Sequence, residues 1–173
     1  MAKENPRSWW LLSFFAVGLA QQPMLVGISL PAYTVHTSPA PFNNNDLLCA
    51  FGCVLGLTTA YFADNQLRVF MLNNEALAKA GKPKVSLLNT GLWAYSRHPN
   101  YLGEQIWWWS FAGFAAHLGS PVMFAGTAFN SCVLAAVTFM TEERMLTNWP
   151  ESRAKLYRDY AKKTSALIPF FPI

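Results

Sequence analysis

The sequence predicts an all-α fold: a polytopic membrane helix bundle of about four transmembrane helices plus a C-terminal cytosolic or interfacial helix. Apolar residues make up 53% of the 173 residues and charged residues only 13%, about half of the ~25% that is typical of soluble domains. No Lys, Arg, Asp or Glu occurs in 47–63 or in 105–141. Because a hydrocarbon core of ~30 Å needs about 20 helical residues, these stretches are long enough to cross a bilayer.

The apolar stretches define four predicted spans within one membrane domain, 1–173, whose length is that of a single domain. In chain order the spans cover 9–35, 46–67, 99–116 and 121–140, and a cytosolic tail covers 141–173.

The first span contains an unusual polar group, Gln21-Gln22-Pro23. Proline and two amides would kink this helix or open its backbone to a polar pocket. A secretory signal peptide is the alternative for this segment, since Lys3 and Arg7 precede the apolar run. The apolar pattern continues past the usual length of a signal-peptide core, which favours a span.

The other three spans have simpler justifications. The second lies on the charge-free stretch 47–63, and the third begins at Pro99, a residue that suits the first turn of a helix. The fourth follows a short turn at 117–120. The stretch 73–90 contains a glycine and a proline and is predicted to be the only true connecting loop.

The basic residues indicate the orientation. All 13 lie in the N-terminal tail, in the segment between spans two and three, or after span four. Four spans place these three segments on one side, which the positive-inside rule makes cytosolic. Both termini are therefore expected in the cytosol. The net charge of +4 then points to anionic lipid headgroups, or to a phosphorylated cofactor, rather than to nucleic acid.

The cysteines carry no metal or redox signature. Cys49, Cys53 and Cys132 all fall in predicted spans, and none belongs to a CxxC pair. An odd number without this spacing predicts neither a disulfide framework nor a metal site. We expect them to be small buried apolar residues.

The segment from Gly91 to Glu104, GLWAYSRHPNYLGE, is the strongest candidate for chemistry. Pro99 would begin a helix at the cytosolic interface, with Arg97 and His98 just outside it. The N-terminal end of a helix attracts anions, and an arginine can bind a phosphate through two donors. This segment is therefore predicted to bind an anion.

An acidic residue follows one turn into the same helix. Glu104 shares a face with Asn100 and Gly103, where a ligand or another helix could approach the glycine backbone closely. An ionisable residue inside a span is a functional candidate. The alternative is a structural ion pair of Glu104 with Arg68 or Arg97.

Two further groups of polar residues allow a functional and a structural interpretation. Asp64 and Arg68 lie on one face near the end of span two, and a local ion pair between them is the alternative. Glu142 and Glu143 follow span four, where a solvated helix end and a functional role are equally compatible with the sequence.

These residues carry a family resemblance that covers most of the chain from about residue 5. The run from Leu92 through Arg97-His98-Pro99-Asn100-Tyr101 to Gly103-Glu104 resembles the signature of the steroid 5-alpha-reductase C-terminal superfamily. Ala63-Asp64 with Gln66, and Tyr160 followed by SALIPF, are similar to further parts of that pattern. The nearest branch is a group of membrane oxidoreductases. Sterol reductases and isoprenylcysteine carboxyl methyltransferases are more distantly similar.

The resemblance implies an NADPH-dependent enzyme that reduces a carbon–carbon double bond of a steroid-like or other lipid. It also implies an endoplasmic reticulum location in a eukaryote. S-adenosylmethionine is the alternative cofactor, for a lipid or isoprenylcysteine methyltransferase, and a non-catalytic membrane scaffold is the third hypothesis. The implied partners are the bilayer and a hydrophobic lipid substrate. The cofactor-binding candidates are Asp64, Arg68, Tyr95, Arg97, His98, Asn100, Tyr101 and Glu104.

The N-terminal end of the chain departs from the family pattern. Family members usually carry two or three more spans before the region of span one, and the Tyr and Glu that polarise the substrate carbonyl lie there. We therefore expect a truncated isoform, a fragment or a reduced member, and we assign no catalytic residue. Gln21 and Gln22 are polar residues in span one without an assigned role.

Overall fold

A computed structural model describes residues 10–11, 14–19 and 21–170 of the chain. Within these residues the regular structure is helical, apart from one isolated parallel bridge between Ser96 and Ser165. The predicted all-α class is confirmed. The α-helices are α1 (Gln21–Thr37), α2 (Asn44–Lys79), α3 (Pro99–His117), α4 (Phe124–Asn148) and α5 (Glu151–Ala161), with a π-helical segment at Phe14–Leu19 and 3-10 turns at Gly91–Ala94 and Pro121–Met123.

Helix α2 begins with a reciprocal cap. The side-chain Oδ1 of Asn43 accepts the backbone N–H of Asn45 at 2.8 Å, and Oδ2 of Asp46 accepts the backbone N–H of Asn43 at 2.8 Å. This arrangement satisfies two backbone donors that a helix N-terminus otherwise leaves without partners. The polar run before the second span is therefore the start signal of the helix.

The far end of α2 corrects the predicted loop at 73–90. The helix has 36 residues and continues to Lys79, so the connection is shorter than predicted. Its end is a Schellman cap, in which Gly81 has a φ of 67° and the N–H of Lys82 donates to Leu77 O at 2.9 Å. The Asn74 side chain also bonds both backbone groups of Val85, at 2.7 and 3.0 Å. The polar residues at 73–79 therefore belong to the end of α2, which extends beyond the apolar stretch, and not to a loop.

The first predicted span, 9–35, lies partly outside the described residues. The basic residues before it, on which the signal-peptide alternative rests, also lie outside them. Helix α1 is Gln21–Thr37, and Pro23 lies in its first turn, a position that tolerates proline. The Gln22 Nε2 donates to Gly18 O at 3.1 Å, which bonds the start of α1 to the π-helical segment. The proline in the helix interior is Pro31.

Helices α3 and α4 fit the predicted third and fourth spans in position. The third span is predicted at 99–116, and the helix is Pro99–His117. The fourth is predicted at 121–140, but α4 continues to Asn148 and takes up the start of the predicted tail. The predicted C-terminal helix is α5, which begins after Pro150.

Two helical stretches of the described chain are long and apolar enough to cross a membrane, namely α2 and Pro121–Asn148. Large apolar side chains on both are exposed, including Phe51 and Phe139, so these helices are not the buried core of a soluble domain. Helix α1 has only 17 residues. Helix α3 carries Asn100, Glu104 and Gln105, which lower its hydropathy.

The chain divides into two compact units, one formed by 1–49 and 108–132 and the other by 50–107 and 133–173. In the first unit α1 and α4 meet at glycines, because a Cβ on Gly126 would lie 2.4 Å from the Gly27 backbone. His117 Nε2 also lies 2.8 Å from Asp46 Oδ1, which links the end of α3 to the cap of α2.

In the second unit α2 and α3 approach each other backbone to backbone. A Cβ on Gly56 would lie 2.5 Å from Trp107 N, and one on Gly103 would lie 2.5 Å from Ala60 N. Small residues spaced by four allow this close approach. Of the two interpretations of Gly103, the structure supports contact with another helix.

Candidate functional site

The candidate site is built around the turn that precedes α3. Gly91 has a φ of 62°, a conformation that favours glycine, and the 3-10 turn Gly91–Ala94 follows it. Gln66 Oε1 accepts the Leu92 N–H at 3.0 Å, and the Trp93 indole donates to Ala63 O at 3.1 Å. These bonds attach the turn to α2.

The C-terminal segment binds the other side of the same turn. The N–H groups of Arg97 and His98 donate to Ser165 O at 2.8 Å and to Ala166 O at 3.1 Å. The Tyr160 hydroxyl donates to Trp93 O and lies 3.3 Å from Ser96 O. The three stretches that carry the family resemblance, which are distant in sequence, therefore meet at this turn.

The Tyr160→Phe substitution tests how much this attachment contributes. Loss of one hydroxyl leaves the Trp93 carbonyl without its donor, and we expect a destabilisation of about 1–2 kcal/mol. Thermal unfolding in detergent measures the effect. The matched control is Tyr33→Phe, at an exposed tyrosine of α1, which should leave the melting temperature unchanged. Equal melting temperatures for the Tyr160→Phe variant and the wild type would contradict the prediction.

A buried charge cluster occupies the centre of the site. Arg97 donates from Nε and Nη2 to the two carboxylate oxygens of Glu142, at 2.8 and 3.0 Å. Its Nη1 donates to Ala161 O at 3.1 Å and to Thr164 O at 2.6 Å. His98 Nε2 lies 2.9 Å from Glu142 Oε1. Each guanidinium nitrogen of Arg97 therefore has an acceptor within the protein.

The protonation states around the cluster follow from burial and from Glu142. Burial opposes the charge of Arg97, but the hydrogen bonds and charge of Glu142 outweigh it and hold the pKa of Arg97 above its usual value. Burial and then the charge of Glu142 raise the pKa of Tyr157. Burial raises the pKa of Tyr160 to about 12. Both tyrosines therefore keep their protons at neutral pH.

A largely apolar cavity of about 280 Å³ lies beside this cluster, within the second unit. This volume is close to the lower end for ligand pockets, so the cavity has room for a ring-sized group. His98 stacks on Tyr101 with ring centroids 5.2 Å apart. The lining residues are Leu67, Phe70, Ser86, Leu87, Leu88, Trp93, Arg97, His98, Asn100, Tyr101, Thr141, Met145, Trp149, Arg153 and Tyr157.

A buried polar atom of the cavity wall lacks a partner in the described chain. Asn100 donates from Nδ2 to Asp64 Oδ1 at 3.1 Å, but its Oδ1 has no hydrogen-bond partner among the described residues. The Tyr157 hydroxyl, in a side chain that is only 4% exposed, has no hydrogen bond of standard geometry among the described residues, but it lies beside the Arg97–Glu142 pair, whose charges shift its pKa. Leaving such atoms without partners costs free energy. The Asn100 oxygen is therefore the clearest polar group of the wall without a partner in the described chain.

The structure brings together five of the eight predicted site residues. Asp64, Arg97, His98, Asn100 and Tyr101 lie at the cavity or bond directly to its wall.

The other three, Arg68, Tyr95 and Glu104, do not line the cavity. Arg68 and Glu104 are exposed, and the alternative in which Glu104 pairs with Arg97 is wrong because Arg97 pairs with Glu142. Tyr95 is exposed and packs edge to face against Phe170. The alternative Asp64–Arg68 pair is not formed among the described residues, where Asp64 Oδ1 accepts from Asn100.

Sequence reasoning did not assign several site residues. The sequence is equally compatible with a solvated helix end and a functional role for Glu142, and the structure shows that this residue is the counterion of Arg97. A signal existed, because Glu142 is the first acidic residue after the charge-free stretch 105–141. Tyr157, Arg153 and Trp149 have no comparable signal, since aromatic and basic residues are common in interfacial tails.

Comparison with known proteins places this site in a family. The family described as "Protein of unknown function (DUF1295)" matches residues 1–164. The chain belongs to this family. Together with the relatives described in the next paragraph, this family match confirms the resemblance to the steroid 5-alpha-reductase superfamily.

Rat and mouse proteins named 3-oxo-5-alpha-steroid 4-dehydrogenase 2 are among the relatives to which this chain is similar. The rat protein is 30% identical over 148 residues, which cover 83% of this chain and 51% of the relative. The mouse protein is 31% identical over 120 residues, with coverage of 69% and 40%. An uncharacterised Schizosaccharomyces pombe protein is 37% identical over 84 residues, with coverage of 46% and 23%. The chain thus spans about half the length of the curated relatives it matches, or less. No solved structure shows a significant match.

Proposed function

We propose that this protein is a membrane-embedded oxidoreductase that uses NADPH to reduce a carbon–carbon double bond of a steroid-like or other lipid. The observation that carries the proposal is the apolar cavity, whose wall contains the motif residues and a buried acceptor, the Asn100 Oδ1, without a partner among the described residues. Similarity to rat and mouse proteins named as 3-oxo-steroid dehydrogenases supports the reaction class.

The cavity wall fits part of a nicotinamide cofactor. The Asn100 Oδ1 is an acceptor for an amide N–H, and the Tyr157 hydroxyl can donate or accept. A volume of about 280 Å³ has room for a ring but not for a whole dinucleotide. We therefore infer that Asn100, Tyr101 and Tyr157 would hold one end of the cofactor.

The residues of this chain would contribute binding, orientation and exclusion of water. A bound nicotinamide cofactor supplies the hydride. Asp64 holds the Asn100 side chain through Nδ2 and so directs Oδ1 as an acceptor. Stacking of Tyr101 on His98, which contacts Glu142, fixes two aromatic groups of the wall. The apolar residues of the lining keep water from the reacting groups.

The proposed membrane arrangement has four spans with both termini in the cytosol, and an endoplasmic reticulum location in a eukaryotic cell. Two candidate spans and the positions of α1 and α3 support it. The distribution of basic residues supports the orientation. Cysteine labelling of a Lys82→Cys variant, at an exposed position of the segment between α2 and α3, should report the cytosolic side when compared with the labelling of the native cysteines. Labelling from the opposite side would contradict the proposed access of the cofactor.

Cofactor binding tests the function directly. Purified wild-type protein in detergent should bind NADPH with saturation of nucleotide fluorescence, and Asn100→Leu should weaken binding by roughly tenfold or more, because a buried polar contact is lost. Asn73→Leu changes an exposed asparagine of α2 and is the matched control. Equal affinity of the Asn100→Leu and Asn73→Leu variants would contradict the proposed site.

The two alternative functions give different outcomes in the same preparation. S-adenosylmethionine should displace NADPH if the protein is of the methyltransferase type. A non-catalytic scaffold should gain no thermal stability from either cofactor, whereas a binder gains RT ln(1 + [L]/Kd).

A further inference from the structure

An open groove on α4 adjoins the cavity, and both lie within the second unit. The groove has a volume of about 740 Å³, which is within the range of ligand pockets. Thr141, Met145 and Trp149 line the groove and the cavity alike. They are spaced by four residues, and the N–H of Trp149 donates to Met145 O at 3.1 Å as in a helix. One stripe of side chains therefore separates the two spaces.

The groove is apolar at one end and polar at the other. Val137 and Met140, which are 42% and 66% exposed, line the end that precedes the charged residues of α4. Arg144 and Asn148 line the other end, and both are exposed. In a bilayer crossed by α4, the first end would lie beside acyl chains and the second at the head groups. The groove therefore has the polarity of an amphiphilic lipid.

The polar end of the groove has a positive charge that is not neutralised. Arg144 makes no ion pair or side-chain hydrogen bond with a described residue. Among the described residues no acid lines the groove. The neighbouring Glu143 lies outside it, and Glu142 pairs with Arg97 and His98. Because a guanidinium presents several donors to one anionic group, this end of the groove is complementary to an anion.

The stripe between the groove and the cavity is held at one end and adaptable in the middle. Trp149 has contacts on two sides, with Arg153 Cζ 3.7 Å from its ring centre and the Tyr157 ring edge to face at 5.7 Å. The side chain of Met145 makes no aromatic contact or hydrogen bond with a described residue, and methionine adapts its shape readily. A molecule in the groove could therefore reach the cavity at Met145 without breaking these contacts.

We propose that the groove docks the lipid substrate, and that this lipid carries an anionic group, held by Arg144, at its polar end. The inference rests on the proposed function, in which the cavity holds one end of the cofactor. The two reactants then occupy separate spaces on either side of Met145. The apolar part of the substrate would enter the groove from the bilayer, so that it need not cross water.

Photo-cross-linking of the full chain in nanodiscs of zwitterionic lipid tests the docking site. The probes are two long-chain fatty acids, which carry a diazirine either beside the carboxylate or at the end of the chain. The first should label α4 from Thr141 onward and the second should label α4 before Thr141, because Arg144 holds the carboxylate. Mass spectrometry of the peptides locates the labels. Labels in the opposite order, or spread evenly over the apolar helices, would overturn the inference.

The Arg144→Gln variant removes the charge at the polar end. Its labelling by a sub-saturating fatty acid should fall roughly threefold to fivefold, since the pair is partly exposed to solvent. The methyl ester of the same probe has no charge and should label this variant and the wild type equally. Lys155→Gln is the matched control, because Lys155 is an exposed residue of α5 that lines neither space. Equal labelling of the two variants by the acid would contradict the role of Arg144.

The outcomes separate this inference from the proposed function. If the wild type binds NADPH but the fatty acids do not label the groove, the docking inference is wrong and the proposed function stands. If the groove is labelled but NADPH does not bind, the proposed function fails, and the role of the groove in docking a substrate fails with it. Phosphatidylglycerol that competes as well as unlabelled fatty acid would show that the groove holds a bilayer phospholipid, which would also overturn substrate docking.

Discussion

The Glu142→Ala variant is expected to lose about 3 kcal/mol or more of unfolding free energy, the effect of breaking a buried ion pair by removing one partner. The Arg97 side chain is only 5% exposed and that of Glu142 only 18%. Without Glu142 the guanidinium remains buried with two backbone carbonyls but no negative charge, and His98 loses the same partner. Thermal and urea unfolding in detergent would measure the loss.

Glu143→Ala is the matched control for this prediction. The two glutamates are adjacent, but Glu143 is exposed on α4, so its removal should leave stability nearly unchanged. The double variant Arg97→Met with Glu142→Met removes both charges, and we expect it to be more stable than Glu142→Ala alone. A Glu142→Ala variant that unfolds like the Glu143→Ala variant would show that the cluster does not support the fold.

The second large effect is expected where α2 and α3 meet. In Gly103→Leu a side chain would have to fit where even a Cβ lies 2.5 Å from Ala60 N and 2.6 Å from Gly56 O. Because both neighbours are backbone atoms, the helices themselves would have to move apart. We expect a loss of more than about 3 kcal/mol, above the usual range for overpacking. A fall in melting temperature and in the yield of folded protein would report it.

Gly56→Ala and Leu57→Ala distinguish steric overlap from a general sensitivity of the helix. A Cβ on Gly56 would lie 2.5 Å from Trp107 N, so this small change should destabilise the protein by about 1–3 kcal/mol. Leu57, the next residue, is 61% exposed and its truncation should have little effect. Similar melting temperatures for the two variants would contradict the close packing.

The helices were largely predictable because their signals are local. Charge-free apolar stretches marked α2 and α4, and Pro99 marked the start of α3. The error at the end of α2 is also local. The last turns of α2 have the polar composition that is typical of loops. They are helical because the Asn74 side chain bonds to the backbone of Val85 and because Gly81 caps the helix.

The candidate site was predictable only in part. The resemblance identified the turn around Arg97 and its neighbours, because a long motif is read directly from the chain. It did not show that the donors of Arg97 are used within the protein, by Glu142 and by carbonyls of the C-terminal segment. It also did not distinguish Arg153 from the other basic residues of the tail, since the partners of a side chain depend on the fold.

The sequence by itself determined the helical class, the positions of the apolar stretches and the family, because composition, charge spacing and a motif are properties of consecutive residues. Only the tertiary structure decided which charged groups neutralise one another. Glu142 is 45 residues from Arg97, and such a pair exists only when packing has brought α4 to the turn before α3. The same packing leaves the Oδ1 of Asn100 at the cavity wall without a hydrogen-bond partner among the described residues.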